Sequence, residues 1–369
     1  MEDNRHKLFY VLCAVLYLSV FLVAGCGGNS FKKITFSHTD IEGRWRMVGL
    51  GYQYFSPFGS YGALNLQASG EVSEGEVNNI GMDIQRLVGG RLNITEQGAV
   101  NGSIDTFLPD SGTNEEYMIH SGQMTPGRDI IVYAGDFPMR GRGIGILIRG
   151  ETNFSASDLE GTWVFPLDGI FSVSIDANGA ITNCNFLGNK GESGRCTGKS
   201  SITPQGHVSV QIEVKSGKIF QLNLDGQMGS SKGSMILAGG ISTRFEGAAA
   251  LAARRYGTFS LADGEGSWRF FRASPGETLY GTVIIDSSGA VTGGHWEGIG
   301  PKHETFTEGR LSVTDGGAIS GHIATSTGNT YTILGGQMSS NKYIAIGLDR
   351  DNYGKSGVAV LVKIPLMYK

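Results

Sequence analysis

The chain has 369 residues, a formal net charge of −4, and 58 glycines but only 9 prolines. Its length favours two or three domains, and its 40% hydrophobic and 9% aromatic residues suffice for packed cores, which excludes a largely disordered chain. Acidic and basic residues are interspersed, so no basic face indicates nucleic-acid binding. Abundant glycine with alternating Val and Ile predicts many short strands joined by tight turns.

The N-terminus has the pattern of an export signal. A charged stretch precedes the apolar run Leu8–Gly25, and small residues lead up to Cys26. The segment Val23-Ala24-Gly25-Cys26 resembles the bacterial lipobox. This resemblance implies that residues 1–25 are a cleaved signal peptide and that Cys26 carries two or three acyl chains such as palmitate, which anchor a protein stably at ~0.8 kcal/mol per buried CH₂. The alternative is an uncleaved membrane-spanning segment, for which this run is short.

The residues after Cys26 indicate in which membrane the protein would be anchored. Gly27 stands where an Asp retains some lipoproteins in the inner membrane, so the resemblance implies the bacterial outer membrane, with the folded part periplasmic or surface-facing. Residues 26–37 are interpreted as a lipidated tether, because Gly-Gly-Asn-Ser follows the cysteine and such sequences are flexible.

The rest of the chain contains three copies of one module. The motif Asp-x-Glu-Gly-x-Trp ends at Trp45, Trp163 and Trp268, and Gly-Gln-Met follows later in each copy. Markers that recur in the same order indicate tandem duplication of a module of ordinary domain size. The predicted modules are 38–150, 155–255 and 260–366.

Within a module the apolar residues have a period of two. Phe171, Val173 and Ile175 alternate with Ser172 and Ser174, which predicts a strand with one buried and one solvated face. Glycine-containing turns separate about eight such strands per module, and short connections favour pairing of each strand with the one before it. The predicted fold class is all-β, with three tandem antiparallel up-and-down eight-stranded barrels, since closure hides the sheet edges. A two-sheet sandwich per module is the alternative.

The last predicted strand of each module ends in a basic residue. These residues are Arg149, Arg254 and Lys363. A Gly-x-Trp on the first strand with a base on the last resembles the calycin barrels, the lipocalin and avidin group. The resemblance implies that the base lies over the indole of Trp45, Trp163 or Trp268 and closes the barrel end, a cation–π contact of about 0.5–2 kcal/mol.

Cys184 and Cys196 are the only cysteines after Cys26. They flank the turn between the third and fourth strands of the second module, and an exported compartment permits disulfides. A bridge is therefore predicted, with two free thiols as the alternative. The other modules lack the pair, so a bridge would not be part of a shared function.

No catalytic or metal-binding constellation recurs among the modules. His295 and His303 lie near Glu297 without the spacing of metal ligands, so neither a metal nor a cofactor is predicted. Five residues after each Gln of the Gly-Gln-Met motif stands a base, and these bases form a candidate binding turn. They are Arg128, Lys232 and Lys342.

These observations predict a non-enzymatic, lipid-anchored envelope protein that acts as a binding or structural component. It would contact the membrane through its lipid and bind no nucleic acid, with the protein or small-molecule ligand unknown. The alternatives are a carrier of small apolar ligands, since an eight-stranded barrel can hold one, and an envelope hydrolase or protease inhibitor. A 24-stranded transmembrane pore is disfavoured because it would need aromatic girdles.

Overall fold

The computed structural model describes residues 34–365 except for 54–55, 80–83, 138–140, 152, 168, 189, 217, 242–245 and 300–302. The predicted signal peptide and lipobox, with Cys26, lie outside the described residues. In the described part, three short 3₁₀ helices each precede a set of eight strands. None of these helices has the length or the apolar character needed to span a bilayer.

The first set begins with η1 (His38–Asp40) and comprises eight strands. They are β1 (Gly43–Gln53), β2 (Ser56–Leu66), β3 (Val72–Asn79), β4 (Ile84–Ile94), β5 (Ala99–Leu108), β6 (Thr113–Met124), β7 (Ile130–Phe137) and β8 (Gly141–Arg149). The second set begins with η2 (Ala156–Leu159). Its strands are β9 (Gly161–Pro166), β10 (Gly169–Ile175), β11 (Ile181–Gly188), β12 (Ser193–Ile202), β13 (His207–Ser216), β14 (Lys218–Met228), β15 (Ser234–Ile241) and β16 (Glu246–Arg255).

The third set begins with η3 (Leu261–Gly264). Its strands are β17 (Gly266–Ser274), β18 (Glu277–Ile285), β19 (Val291–Gly298), β20 (His303–Val313), β21 (Ala318–Thr325), β22 (Thr330–Met338), β23 (Ile344–Asp351) and β24 (Ser356–Lys363). Each strand pairs antiparallel with its predecessor, and the last strand of each set pairs with the first, which closes three barrels. The predicted fold class is confirmed; the sandwich alternative and a single 24-stranded sheet are both wrong.

The inward face of each barrel is packed with apolar side chains. In the second barrel Phe171, Val173 and Ile175 point inward and are almost fully buried, as the period of two predicts. The rings of Phe165 and Phe171 stack with their centroids 5.1 Å apart. Each large apolar side chain removed from water contributes about 1.5–3 kcal/mol, so every barrel has a core of its own.

A second core lies outside the barrels, among their last strands. Outward-facing residues of the first barrel, among them Ile146 on β8, pack with Leu251 on β16 and with Ile346 and Val360 of the third barrel. The expectation of one buried and one solvated face is therefore wrong for these strands. Their sequences are almost continuously apolar, which is typical of strands buried on both faces.

The three barrels contact one another in a cycle. Strands β1 and β2 lie against β15 and β16, β9 and β10 lie against β22 and β23, and β17 and β18 lie against β7 and β8. Each barrel thus uses its first two strands against late strands of the next barrel. Head-to-tail contacts of this kind form a closed ring when the rotation between copies closes, and here the three copies share one chain.

The tryptophan-bearing ends of the barrels lie on the same side of this ring. The turn between β14 and β15 reaches the turn between β6 and β7, where Ser230 Oγ lies 3.5 Å from Asp129 Oδ2. Arg255, the last residue of β16, donates from Nε to the carbonyl oxygen of Gly316, in the turn before β21, at 3.3 Å. These contacts join the tryptophan-bearing ends of neighbouring barrels.

Candidate functional site

Each repeated tryptophan is buried at one end of its barrel and is held by the 3₁₀ helix that precedes it. Trp45 is fully buried, and its indole Nε1 donates to the carbonyl oxygen of Ile41 at 2.7 Å. Trp163 and Trp268 make the same bond, at 2.8 Å in both cases, to Leu159 and Gly264. A buried indole N–H needs an acceptor. The 3₁₀ helix, or in the first barrel the residue directly after it, supplies the carbonyl that lets the ring fill the barrel end.

The base on the last strand of each barrel lies over the tryptophan of the first strand. The closing strand pairs place Arg149 opposite Trp45, Arg254 opposite Trp163 and Lys363 opposite Trp268. The cationic groups lie 4.9, 5.8 and 5.2 Å from the respective ring centroids, within the range of a cation–π contact.

These three residues, which we call the closing bases, also bond to the backbone next to the 3₁₀ helix. Arg149 donates to the carbonyl oxygen of Asp40, and Arg254 to that of Glu160. Lys363 Nζ donates to the carbonyl oxygen of Asp263 at 3.0 Å. Burial lowers the pKa of both Arg149 and Lys363. Each closing base therefore joins the first strand, the last strand and the 3₁₀ helix of its barrel.

A second set of bases, the turn bases Arg128, Lys232 and Lys342, lies at the same barrel ends. Their backbones have φ of 60°, 53° and 62°, a left-handed conformation that is uncommon for residues other than glycine. Their side chains form ion pairs of 2.8, 2.8 and 2.9 Å with an aspartate of the 3₁₀ segment. The aspartates are Asp40, Asp158 and Asp263.

Each turn base also lies over a phenylalanine ring. The rings belong to Phe36, Phe154 and Phe259, and the distances to their centroids are 5.8, 5.6 and 5.6 Å. The candidate binding turn predicted from the sequence is thus occupied by contacts within each barrel, and no ligand site is proposed there.

Asp158 and Asp263 also hold the start of their 3₁₀ helices. Asp158 accepts from the backbone N–H of Ser155 at 2.8 Å, and Asp263 from that of Ser260 at 2.7 Å, as in a capping box. Burial opposes the ionisation of both carboxyl groups. The hydrogen bonds from the turn base and the capping serine outweigh that effect, so the pKa of each aspartate lies below its usual value.

The Gly-Gln-Met motif completes the closed end, with Gln bonded to a turn and Met packed inside. Gln123 Nε2 donates to the carbonyl oxygen of Gln97 at 2.9 Å, and Met124 is fully buried. Gly98, beside Gln97, has φ of +81°, and a Cβ there would collide with the Phe36 ring. Only glycine suits that position, and its counterparts in the other barrels have the same constraint.

The complete recurring motif is longer than the part recognised in the sequence. Phe-Ser-x-x-Asp-x-Glu-Gly-x-Trp runs from Phe36 to Trp45, and the same ten-residue pattern begins at Phe154 and at Phe259. The phenylalanine under the turn base and the serine that bonds to the aspartate were both missed. Extending the repeat four residues upstream of Asp40, Asp158 and Asp263 would have found them.

The predicted disulfide in the second barrel is confirmed. Cys184 on β11 is bonded to Cys196 on β12, and their Cα atoms are 4.9 Å apart. The equivalent pairs are Gly75 with Leu87 in the first barrel and Gly294 with Phe306 in the third. In the first barrel the Leu87 side chain packs against Gly75, whereas in the second a covalent bond joins the equivalent positions.

The histidines of the third barrel do not form a metal site. His295 Nε2 lies 3.8 Å from Glu297, and the rings of His295 and His303 are 5.5 Å apart. Among the described residues, no group of three or more His, Cys, Asp or Glu side chains could hold a metal ion.

A buried ionic cluster fills the end of the third barrel away from Trp268. Arg272 is fully buried, and its Nε donates to both carboxylate oxygens of Asp349 at 2.9 and 3.0 Å. Burial raises the pKa of Asp349 to about 6, while Arg272 opposes the shift. The carboxylate raises the pKa of Arg272 despite its burial. The two-oxygen contact favours the ionised pair at neutral pH.

The barrel interiors are poor candidates for a ligand cavity. The cavity next to Trp268 measures about 20 Å³, which is room for about one water molecule. The opposite end of that barrel holds the Arg272 cluster, and stacked phenylalanines fill the second barrel.

The chain matches no protein family model and no curated protein. Solved structures to which it is similar include isotype 1 transferrin binding protein B from serogroup B Neisseria meningitidis, at 10% identity over 88% of this chain and 77% of that chain, with a TM-score of 0.28. A putative AttH from Nitrosomonas europaea has 11% identity over 92% and 98% of the two chains, with a TM-score of 0.25. Kievitone hydratase from Nectria haematococca has 8% identity over 91% and 95%, with a TM-score of 0.21. At these scores the matches carry no inference about function.

Proposed function

We propose that this chain is a non-catalytic, lipid-anchored protein of the bacterial outer envelope, in which three fused barrels serve as a binding or structural component. The observation that carries this proposal is the way the barrels are filled. Each has an apolar interior closed by the same set of residues, and their late strands are buried in a shared core. The surfaces left for a partner are the remaining outer faces, the hairpins and the clefts between barrels.

The point at which the chain enters the first barrel suggests an orientation. Phe36 N–H donates to the carbonyl oxygen of Glu96 at 3.1 Å, and Arg128 Nη2 donates to that of Thr35 at 3.0 Å. Thr35 therefore lies at the tryptophan end. Nine positions separate it from Cys26, so an extended tether spans at most about 30 Å. An acylated Cys26 would hold the tryptophan ends towards the membrane and the opposite hairpins away from it.

The anchor is tested by metabolic labelling with radioactive palmitate followed by membrane fractionation. Wild-type protein should carry label and sediment with membranes, whereas Cys26→Ala should be unlabelled. Cys13→Ala is the matched control, because Cys13 lies inside the apolar run and should leave labelling unchanged. Equal labelling of wild type and Cys26→Ala would refute the anchor.

A further inference from the structure

The three contacts between neighbouring barrels are equivalent, and we call each of them a seam. The first seam joins barrels one and two, the second joins barrels two and three, and the third joins barrels three and one. In the first and third seams the residue after the repeated tryptophan reaches the neighbouring barrel, and it is Arg46 in the first and Arg269 in the third. The equivalent residue of the second barrel is Val164.

The second and third seams are filled by protein contacts. In the third seam the Arg269 guanidinium donates to Ser121 Oγ of the first barrel and to Thr282 Oγ1 of its own barrel. In the second seam the side chain of Ile170 lies against Gly335, and Leu334 is packed against the same shared core. One seam is thus closed by hydrogen bonds and another by apolar packing.

The first seam is open. Arg46 lines a cleft of about 180 Å³ between the two barrels. Within the described residues, its guanidinium has no hydrogen-bond or ion-pair partner, although it is partly buried. Burial and the neighbouring charge of Arg44 lower its pKa, and Glu76 acts in the opposite sense. A guanidinium that faces a cleft without a protein partner keeps its N–H donors available to an acceptor from outside the chain.

The walls of the cleft carry both acceptors and apolar surface. Glu76 of the first barrel and Asp225 of the second line it, with His207 Nε2 3.9 Å from the Asp225 carboxylate. Tyr61 and Ile84 form an apolar wall with 40% and 51% of their surfaces exposed, which is high for side chains of this size.

The phenol group of Tyr61 is fixed by Asn78, whose Nδ2 donates to the Tyr61 oxygen at 2.8 Å. The wall therefore presents an oriented aromatic ring beside the charged groups.

The geometry points to the first seam as a binding site for one sugar unit, free or within a glycan. Sugar hydroxyls both donate and accept, so they can satisfy a guanidinium and two carboxylates together. Their C–H faces can pack against Tyr61 and Ile84, in the mixed polar and apolar setting typical of small-molecule sites. The cleft volume suits a single ring. Two carboxylates disfavour a simple anion, and the charged groups disfavour an apolar ligand.

This inference specifies the binding part of the proposed function and is independent of the anchor, because no residue of the cleft lies near Cys26 in sequence. The test is saturation-transfer NMR on the full-length protein in detergent micelles. The probes are glucose, galactose, mannose and N-acetylglucosamine, each at millimolar concentration. At least one sugar should receive saturation from the protein, and Arg46→Met should weaken its binding about tenfold or more, since a charge-assisted hydrogen bond is lost.

Arg269→Met is the matched control. It removes the equivalent guanidinium from a seam that is already closed, and it should leave the sugar signal unchanged. Glu76→Gln provides a second variant on the exposed side of the cleft and should also weaken binding. The proposal is overturned if no sugar receives saturation or if Arg46→Met binds as wild type does. Palmitate labelling of Cys26 is unaffected by any of these outcomes.

Discussion

At the scale of residues, the closed barrel ends show why the same ten-residue pattern occurs three times. The tryptophan fills the barrel end, the 3₁₀ helix accepts its indole N–H, and two bases cover two aromatic rings. Both bases bond to the 3₁₀ segment. The closing base donates to a backbone carbonyl oxygen of the segment, and the turn base forms an ion pair with its aspartate. The motif therefore specifies the end of a barrel rather than a reaction.

The turn base of the second barrel gives a pH-dependent prediction. The lowered pKa of Asp158 means that the unfolded state binds more protons than the folded state near and below pH 4. The stabilisation is therefore complete at neutral pH and is lost as the pH falls. Lys232→Met should reduce the free energy of unfolding at pH 7 by about 0.5–1.5 kcal/mol, since the ion pair is partly exposed and screened. At pH 3 the difference from wild type should shrink.

Urea unfolding curves of both proteins at the two pH values measure this difference. Lys215→Met is the control, because Lys215 pairs with Glu213 on an exposed surface and should have little effect at either pH. A loss from Lys232→Met that is as large at pH 3 as at pH 7 would show that Asp158 is not the reason for it.

At the scale of elements, strand pairing is supplemented where the ladder is short. Between β11 and β12 the paired residues run from Asn185 opposite Arg195 to Leu187 opposite Ser193. The disulfide between Cys184 and Cys196 joins the next facing positions. It thus holds the two strands together just where their continuous pairing ends.

Removal of this disulfide should destabilise the second barrel. Cys184→Ser with Cys196→Ser should lower the free energy of unfolding by about 2–3 kcal/mol, because the unfolded chain loses a closed loop of this length and two buried positions become polar. Hydrogen exchange should increase first in β11 and β12. The same unfolding curves with and without a reductant provide the control. Wild type should lose stability under reduction and the double variant should not; a reductant effect on the variant would contradict the assignment.

At the scale of the whole molecule, the shared core makes the three barrels interdependent. Outward-facing residues of all three barrels are buried together, and the contacts run in a cycle around the seams. A barrel removed from this arrangement would expose an extensive apolar surface, which isolated soluble domains rarely do. We therefore expect the three barrels to unfold together.

A matched pair of isoleucines on the outside of the third barrel tests this expectation. Ile346 lies in the shared core with 1% of its surface exposed, whereas Ile284 is 42% exposed. Ile346→Ala should cost about 2–5 kcal/mol and should increase the slowest hydrogen exchange in all three barrels. Ile284→Ala should change little. Loss of protection in the third barrel alone would show that the barrels unfold independently.

The sequence by itself determined the structure of the repeated unit, a single eight-stranded barrel. The period of two in residues 171–175 gave the inward face, the repeated Trp163 and Arg254 gave the two strands that close a barrel, and Cys184 and Cys196 gave the disulfide. These signals can be read without a structure, because alternation depends on neighbouring positions and the repeat emerges when the chain is compared with itself. The placement of barrels relative to one another was decided only by the tertiary structure. The shared core around Ile346 and the open seam at Arg46 depend on which outer faces meet. That pairing joins residues of different barrels that lie far apart along the chain, and no periodic pattern in the sequence indicates it.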